Sequence, residues 1–198
     1  MKKVVFVFLL FLFILNVDTY GQNSIQKFLH GEFYDGFIVL LNGDTIKGKI
    51  PFRDTEENYY QVKIKNTTNN VLTIYRPKEV LVYSVDSLYI YPKIFNKNRI
   101  VFMRLLSDDY LKVYIYRQMV NLGTVIITET YFRLEKPDGQ SVQIKYHKKF
   151  NLKKLAGDFF KDCPPISEKI NNKTYKAVDI IKIAHEYNEW LKQNKNNN

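Results

Sequence analysis

The chain has 198 residues, a single cysteine, and 30 Lys and Arg against 20 Asp and Glu, a formal charge of +10. One cysteine excludes an internal disulfide, and this length lets one domain hold itself together by its core alone. The basic balance points to anionic partners, although lysines also serve simply to keep a surface soluble.

Residues 1–21 read as a signal peptide. Lys2 and Lys3 supply the positive start, and residues 4–15 form an apolar run of about a dozen, closed by Asn16 and Asp18. Crossing ~30 Å of hydrocarbon takes roughly 20 apolar residues, so the run is too short to stay in lipid. Thr19, Tyr20 and Gly21 place the expected cleavage before Gln22. No cysteine stands there to carry a lipid anchor, and no membrane span is expected after cleavage. The expectation is an exported protein, periplasmic or extracellular, which meets cell-surface polymers and lipid head groups rather than nucleic acid.

Residues 22–34 lead into a region, 35–146, in which the dominant period is two, the mark of strands with one buried and one wet face. Residues 37–41 are apolar on both faces, which predicts an inner strand. Ile46 and Ile50 then oppose Thr45, Lys47 and Lys49; Tyr60, Val62 and Ile64 oppose Gln61, Lys63 and Lys65; Leu111, Val113 and Ile115 oppose Lys112, Tyr114 and Tyr116; Val142 and Ile144 oppose Gln143 and Lys145. Turn signals at Asn42-Gly43-Asp44, Asn69-Asn70, Ser107-Asp108-Asp109 and Asp138-Gly139 separate these runs at the short intervals of antiparallel hairpins. Nine or ten strands do not stay flat, so the sheet should curl into a barrel-like or sandwich form.

From 147 to 192 the period becomes helical. Leu152, Leu155, Ala156, Phe159 and Phe160 share one stripe, with Asn151 as N-cap and Asp162-Cys163-Pro164-Pro165 as the stop. A short helix should begin near Pro165. Ala177, Ile180, Ile181, Ala184, Tyr187 and Leu191 form the stripe of a last helix, and the polar residues 193–198 read as a disordered tail. The predicted class is α+β, mainly β: an antiparallel curled sheet followed by two or three C-terminal helices packed on it in the same domain.

Residues 36–50, GFIVLLNGDTIKGKI, resemble the opening hairpin of a set of uncharacterised exported bacterial proteins, whose signal peptide precedes a strand ending in a Gly-Asp-Thr turn. The C-terminal stretch Phe159-Phe160-Lys161-Asp162-Cys163-Pro164, followed by Ile170, Asp179-Ile180 and Tyr187-Asn188, is similar to the ending of the same group. Between these ends the likeness is one of pattern. It implies an envelope or secreted location and a single mixed domain, and brings no assigned site residues with it.

Candidate chemistry is sparse. His185-Glu186-Tyr187-Asn188-Glu189 begins like the zinc-protease helix, but Glu189 stands where the second histidine is needed, and His30 and His147 lie far off in sequence. Cys163 precedes two prolines beside Asp162, which works against a thiolate; it reads as a buried helix-end residue. Adjacent Asp108 and Asp109 suit a turn better than a glycosidase pair. No metal, cofactor or catalytic residue is assigned. Two binding candidates stand out. Lys145, Lys148, Lys149, Lys153 and Lys154 cluster around His147 as an anion site, against the plainer reading of a solvated face. Tyr89, Tyr91, Tyr114 and Tyr116 alternate as an aromatic platform for sugar rings, against core packing or cross-strand pairing. The expected function is a non-catalytic binding or accessory module for an envelope protein or an anionic glycan. The alternative is a small hydrolase assembled only by the fold, recognisable by a concave pocket holding two or more of His30, His147, His185 and the acidic residues.

Overall fold

The computed structural model describes residues 29–52, 57–96, 98–147 and 151–195. The expected signal peptide and most of the lead-in lie outside them. Ten strands form one antiparallel sheet: β1 Phe33–Leu40, β2 Thr45–Pro51, β3 Val62–Asn66, β4 Leu72–Tyr75, β5 Val80–Val85, β6 Leu88–Phe95, β7 Arg99–Ser107, β8 Lys112–Asn121, β9 Ile126–Glu135 and β10 Ser141–Lys145. The helices are α1 Glu57–Tyr60, α2 Leu152–Ala156, α3 Pro164–Asn171 and α4 Ile180–Lys195, the last preceded by a 3-10 turn, Ala177–Asp179. Among the described residues, no helix is long and apolar enough to cross a membrane.

The strand order is β10-β9-β8-β7-β6-β5-β1-β2-β3-β4, with β1 an inner strand as its two apolar faces predict. The order also explains why the sheet curls. β5 and β4 stand four spacings apart, about 19 Å on a flat sheet at ~4.8 Å each. Five Cα steps from Tyr75 to Val80 reach only about 18 Å fully stretched. The first half therefore folds over, and the sheet is curled yet open, with β4 and β10 at its edges.

Two glycines permit that bend. Gly36 of β1 and Gly48 of β2 are direct cross-strand partners. A Cβ at Gly36 would meet the Ser84 carbonyl oxygen at 2.2 Å, and one at Gly48 the Lys65 carbonyl oxygen at 2.4 Å. Only hydrogens fit where neighbouring strands close in this tightly. The β1–β2 turn follows its residues: Gly43 takes φ 90°, its N–H donates to the Leu40 carbonyl at 3.0 Å, and the Asp44 N–H donates to Asn42 Oδ1 at 3.1 Å.

Apolar side chains collect in three places. Inside the curl, Ile38, Ile50, Val62, Ile64, Val80 and Phe102 pack together. On the second half, Val113, Ile115, Phe132 and Leu134 face the helical layer, in which the turns after α2 contribute Phe160 and α3 and α4 contribute Ile166, Ile183 and Tyr187. On the opposite face of β8, Tyr114 and Tyr116 join Phe95, Val101, Met103 and Tyr59 of α1. Thus β8 is buried on both faces from Val113 to Tyr116, where the alternation alone predicts one wet face.

Three local expectations change. Tyr60 ends helix α1 rather than opening a strand. Helix α2 stops at Ala156 before Gly157, and the turns that follow tighten, with Cys163 N–H donating to the Phe160 carbonyl at 3.0 Å; Phe159 and Phe160 are buried all the same. Helix α4 runs on to Lys195, so residues 193–195 belong to it rather than to a tail, and Asn194 Nδ2 donates to the Trp190 carbonyl at 2.7 Å. Asn151 does cap α2, accepting from Lys154 N–H, and Cys163 is buried, its thiol pushed up by that burial.

Candidate functional site

The α1 side of β6 to β9 carries a cleft of about 680 Å³ with tyrosine walls and charged groups between them. Each side chain arrives by strand alternation and register. Tyr91 and Lys93 share a face of β6, Lys112 and Tyr114 share a face of β8, and Glu135 of β9 pairs directly with Lys112. Tyr110 and Asp109 enter from the β7–β8 turn, and Lys136 from the start of the β9–β10 turn.

The centre is an ordered ionic network. Lys93 Nζ donates to Glu135 Oε2 at 2.6 Å and stands 4.3 Å from the centre of the Tyr114 ring. Arg133 Nε donates to Glu135 Oε1 at 2.6 Å, while its Nη atoms donate to the Ile94 carbonyl and to Ser141 Oγ at 3.2 and 2.8 Å. Tyr91 meets Tyr114 edge to face at 5.9 Å. Burial works to raise the Glu135 carboxyl, but the hydrogen bonds from Lys93 and Arg133 outweigh it and hold the group below the usual carboxylate range. Burial, then the Glu135 charge, pushes the Tyr114 phenol well above its ordinary value. At the rim, Lys112 Nζ lies 2.7 Å from Asp108 Oδ1, a bond that raises the lysine. Near neutral pH Glu135 is therefore ionised, Lys112 charged and the Tyr114 phenol protonated, and each of the three is moved away from neutral pH, unlike an acid or base that shuttles a proton.

The four tyrosines of the predicted platform separate. Tyr91 and Tyr114 wall the cleft, although Tyr114 is only 3% exposed. Tyr116 is fully buried and bonded hydroxyl to hydroxyl with Tyr60 at 2.9 Å, so its ring is core. Tyr89 is exposed outside the cleft and leans on Phe37.

The lysine cluster also divides. Lys145 pairs with Glu129 and shares a face with Tyr131, opposite the helical layer toward which Ile144 points. Lys153 and Lys154 are exposed on α2, on the helical side. Lys148 and Lys149 lie outside the described residues.

His185 lines a smaller cleft of about 220 Å³ with Asp109, Asn188, Glu189 and Lys192. One histidine and two carboxylates do meet here, but Lys192 Nζ holds both acids, Asp109 at 2.8 Å and Glu189 at 3.0 Å. Its hydrogen bond lowers Asp109. His30 and His147 do not line this cleft. Among the described residues, no group of three or more His, Cys, Asp or Glu is placed to hold a metal ion.

Sequence reading missed Lys93, Tyr110, Glu135 and Lys136. The spacing of Tyr91 to Lys93 and of Lys112 to Tyr114 already sets each pair on one face; what it lacks is the register that brings three strands together. Compared with protein-family models, curated proteins and solved structures, the chain matches none.

Proposed function

We propose that the protein is an exported, non-catalytic binding module, and that it holds a glycan in the tyrosine-walled cleft. The carrying observation is the convergence of Tyr91, Tyr110 and Tyr114 with Lys93, Lys112 and Glu135 around one concavity. The half-buried rings of Tyr91 and Tyr110 offer aromatic surface to the apolar faces of sugar rings, Tyr114 backs the site behind Lys93, and charged groups around them bond hydroxyls. The signal-like start supports export, as does the resemblance of both chain ends to exported bacterial proteins. A binding role is supported by the ionic pairing of Glu135 and Asp109, both held below the usual carboxylate range, since a glycosidase needs one carboxyl raised, not lowered.

Titration of the mature protein with neutral and uronic-acid oligosaccharides tests the reading. Tyr91→Ala should weaken binding about tenfold, which is 1.4 kcal/mol. Because the cleft's lysines and carboxylates already neutralise one another, moderate salt should change its affinity little, whereas binding through loose surface lysines should fall steeply. Affinity untouched by Tyr91→Ala would remove the cleft as the site. One observation favours a second reading, a hydrolase: the meeting of His185, Asp109 and Glu189. Turnover abolished by His185→Ala would favour it. Sequencing the N-terminus of secreted material should begin at Gln22.

A further inference from the structure

The hairpin joining β8 to β9 extends past the packing that covers the rest of both strands. Its outer part pairs Met119 with Thr128, Val120 with Ile127 and Asn121 with Ile126, while β10 accompanies β9 only over Tyr131 to Glu135. None of residues 119–127 belongs to the three apolar cores. Leu122, Val125, Ile126 and Ile127 are 62, 54, 65 and 38% exposed. Between Arg117 and Glu129 the chain carries no charge, although a quarter of its residues are charged overall. Exposed apolar surface this concentrated marks a place where something other than water belongs.

The distribution indicates what. Paired residues share a face, so Val120 and Ile127 lie on one side and Ile126 on the other, with Leu122 and Val125 flanking Gly123 and Thr124 at the tip. A flat protein partner covers one side of a ribbon; an apolar medium surrounds both. Charge changes sharply at the base. Arg117 lies opposite Thr130, Lys145 pairs with Glu129, and Arg99 Nη2 donates to Gln118 Oε1 at 3.1 Å. Arg99, Arg117 and Lys145 stand at this level, Lys145 held by Glu129, and exposed Tyr146 donates its N–H to the Thr130 carbonyl beside them. Cations and tyrosine at the level of anionic head groups below an apolar tip form the pattern of an interfacial anchor. Reach is sufficient: five residues from Gln118 to Gly123 span about 16 Å at ~3.3 Å each, against the ~5–10 Å an interfacial segment enters. Shallow entry also leaves the ribbon's outer backbone groups among polar head groups.

We infer that the β8–β9 hairpin is a membrane-contacting finger that inserts Leu122, Val125, Ile126 and Ile127 into the surface of a lipid bilayer. It stands on residues apart from the glycan cleft, so either reading fails without the other. The full mature protein should co-sediment with phosphatidylcholine vesicles carrying phosphatidylglycerol, and more weakly with phosphatidylcholine alone. Leu122→Ser combined with Ile126→Ser should reduce bound protein at least tenfold while leaving the circular dichroism spectrum and thermal midpoint unchanged, since both side chains are exposed. As a second measurement, Ile126→Trp should show a blue-shifted emission increment when vesicles are added. Undiminished sedimentation of the double variant, no sedimentation of the parent protein, or an Ile126→Trp emission indifferent to lipid would each overturn the finger. So would self-association of the parent that the double variant loses without any vesicle binding, because the occupant would then be a second copy.

Discussion

The two halves of the sheet solve the same burial problem differently. Strands β1 to β5 curl until their own inner faces meet, around Ile38, Ile64 and Val80. Strands β8 to β10 stay open and borrow a layer of helices, which brings Phe160, Ile166 and Tyr187 onto Val113 and Leu134. The difference lies in small residues and in connections. The first half owns the Gly36 and Gly48 pair and the four-residue link 76–79, both of which favour closure. The second has long strands and no such pair, so its apolar face needs cover from outside. An open second half leaves room for a cleft on one side and a projecting hairpin at one end.

The largest test of this contrast is Phe160→Ala. The ring is fully buried between the sheet and Tyr187, 5.7 Å away centre to centre. Its loss should cost about 3–5 kcal/mol in urea unfolding. Trp190 is the only tryptophan and packs beside the helical core, so its fluorescence reports the second half, while far-ultraviolet dichroism is dominated by the sheet. If the halves are one cooperative unit, both signals move together. Separated transitions would show that the curled half stands alone.

Gly48→Ala strikes the other half and should cost about 1–3 kcal/mol, because the added methyl meets backbone that cannot swing aside. The Trp190 transition should shift by the same amount if the coupling holds.

Asp162 ties the helices back to the sheet. It accepts from Lys136 Nζ at 2.7 Å and from the Tyr187 hydroxyl at 2.6 Å. Burial works to raise this carboxyl, but those two bonds win and hold it below its ordinary value. A carboxyl depressed in the folded state contributes stability above its unfolded value and loses it as the pH falls through the folded one. Asp162→Asn should therefore cost about 1 kcal/mol near neutral pH, toward the low end because the side chain is half exposed. The gap from the parent protein should close below the usual carboxylate range. A gap independent of pH would assign the effect to packing instead.

The smallest effect belongs to Lys49→Ala. The Lys49 to Asp35 pair is 2.8 Å long but well exposed on the curled half. It should contribute no more than about 0.5 kcal/mol, screened further by salt.

Much of the local structure was legible in the residues. Asn42-Gly43-Asp44 and Asp138-Gly139 form turns because Gly43 and Gly139 adopt positive φ, a backbone choice settled within a few residues. The alternation of Val62 and Ile64 with lysines marks a strand because successive side chains must point to opposite faces. The Asn151 cap and the start of α3 at Pro164 are equally short-range. Helix α1 was not legible, because Tyr60 continues the alternation of Val62 and Ile64 and only its bond to Tyr116 across the sheet shows where it belongs.

The candidate site was legible only in fragments. Tyr91 and Tyr114 were visible as strand tyrosines, but nothing in sequence separates them from Tyr116, which α1 covers, or from Tyr89, which the cleft leaves outside. Neither does spacing reveal that Lys93 and Glu135, 42 residues apart, meet at 2.6 Å. By itself the sequence determined where the chain turns, which side chains alternate, and that helices follow strands, since these depend on neighbours a few bonds away. Only the tertiary structure decided that β5 lies beside β1, that β8 is buried on both faces from Val113 to Tyr116, and which charges find partners, because register between distant strands is set by the packing of the whole sheet.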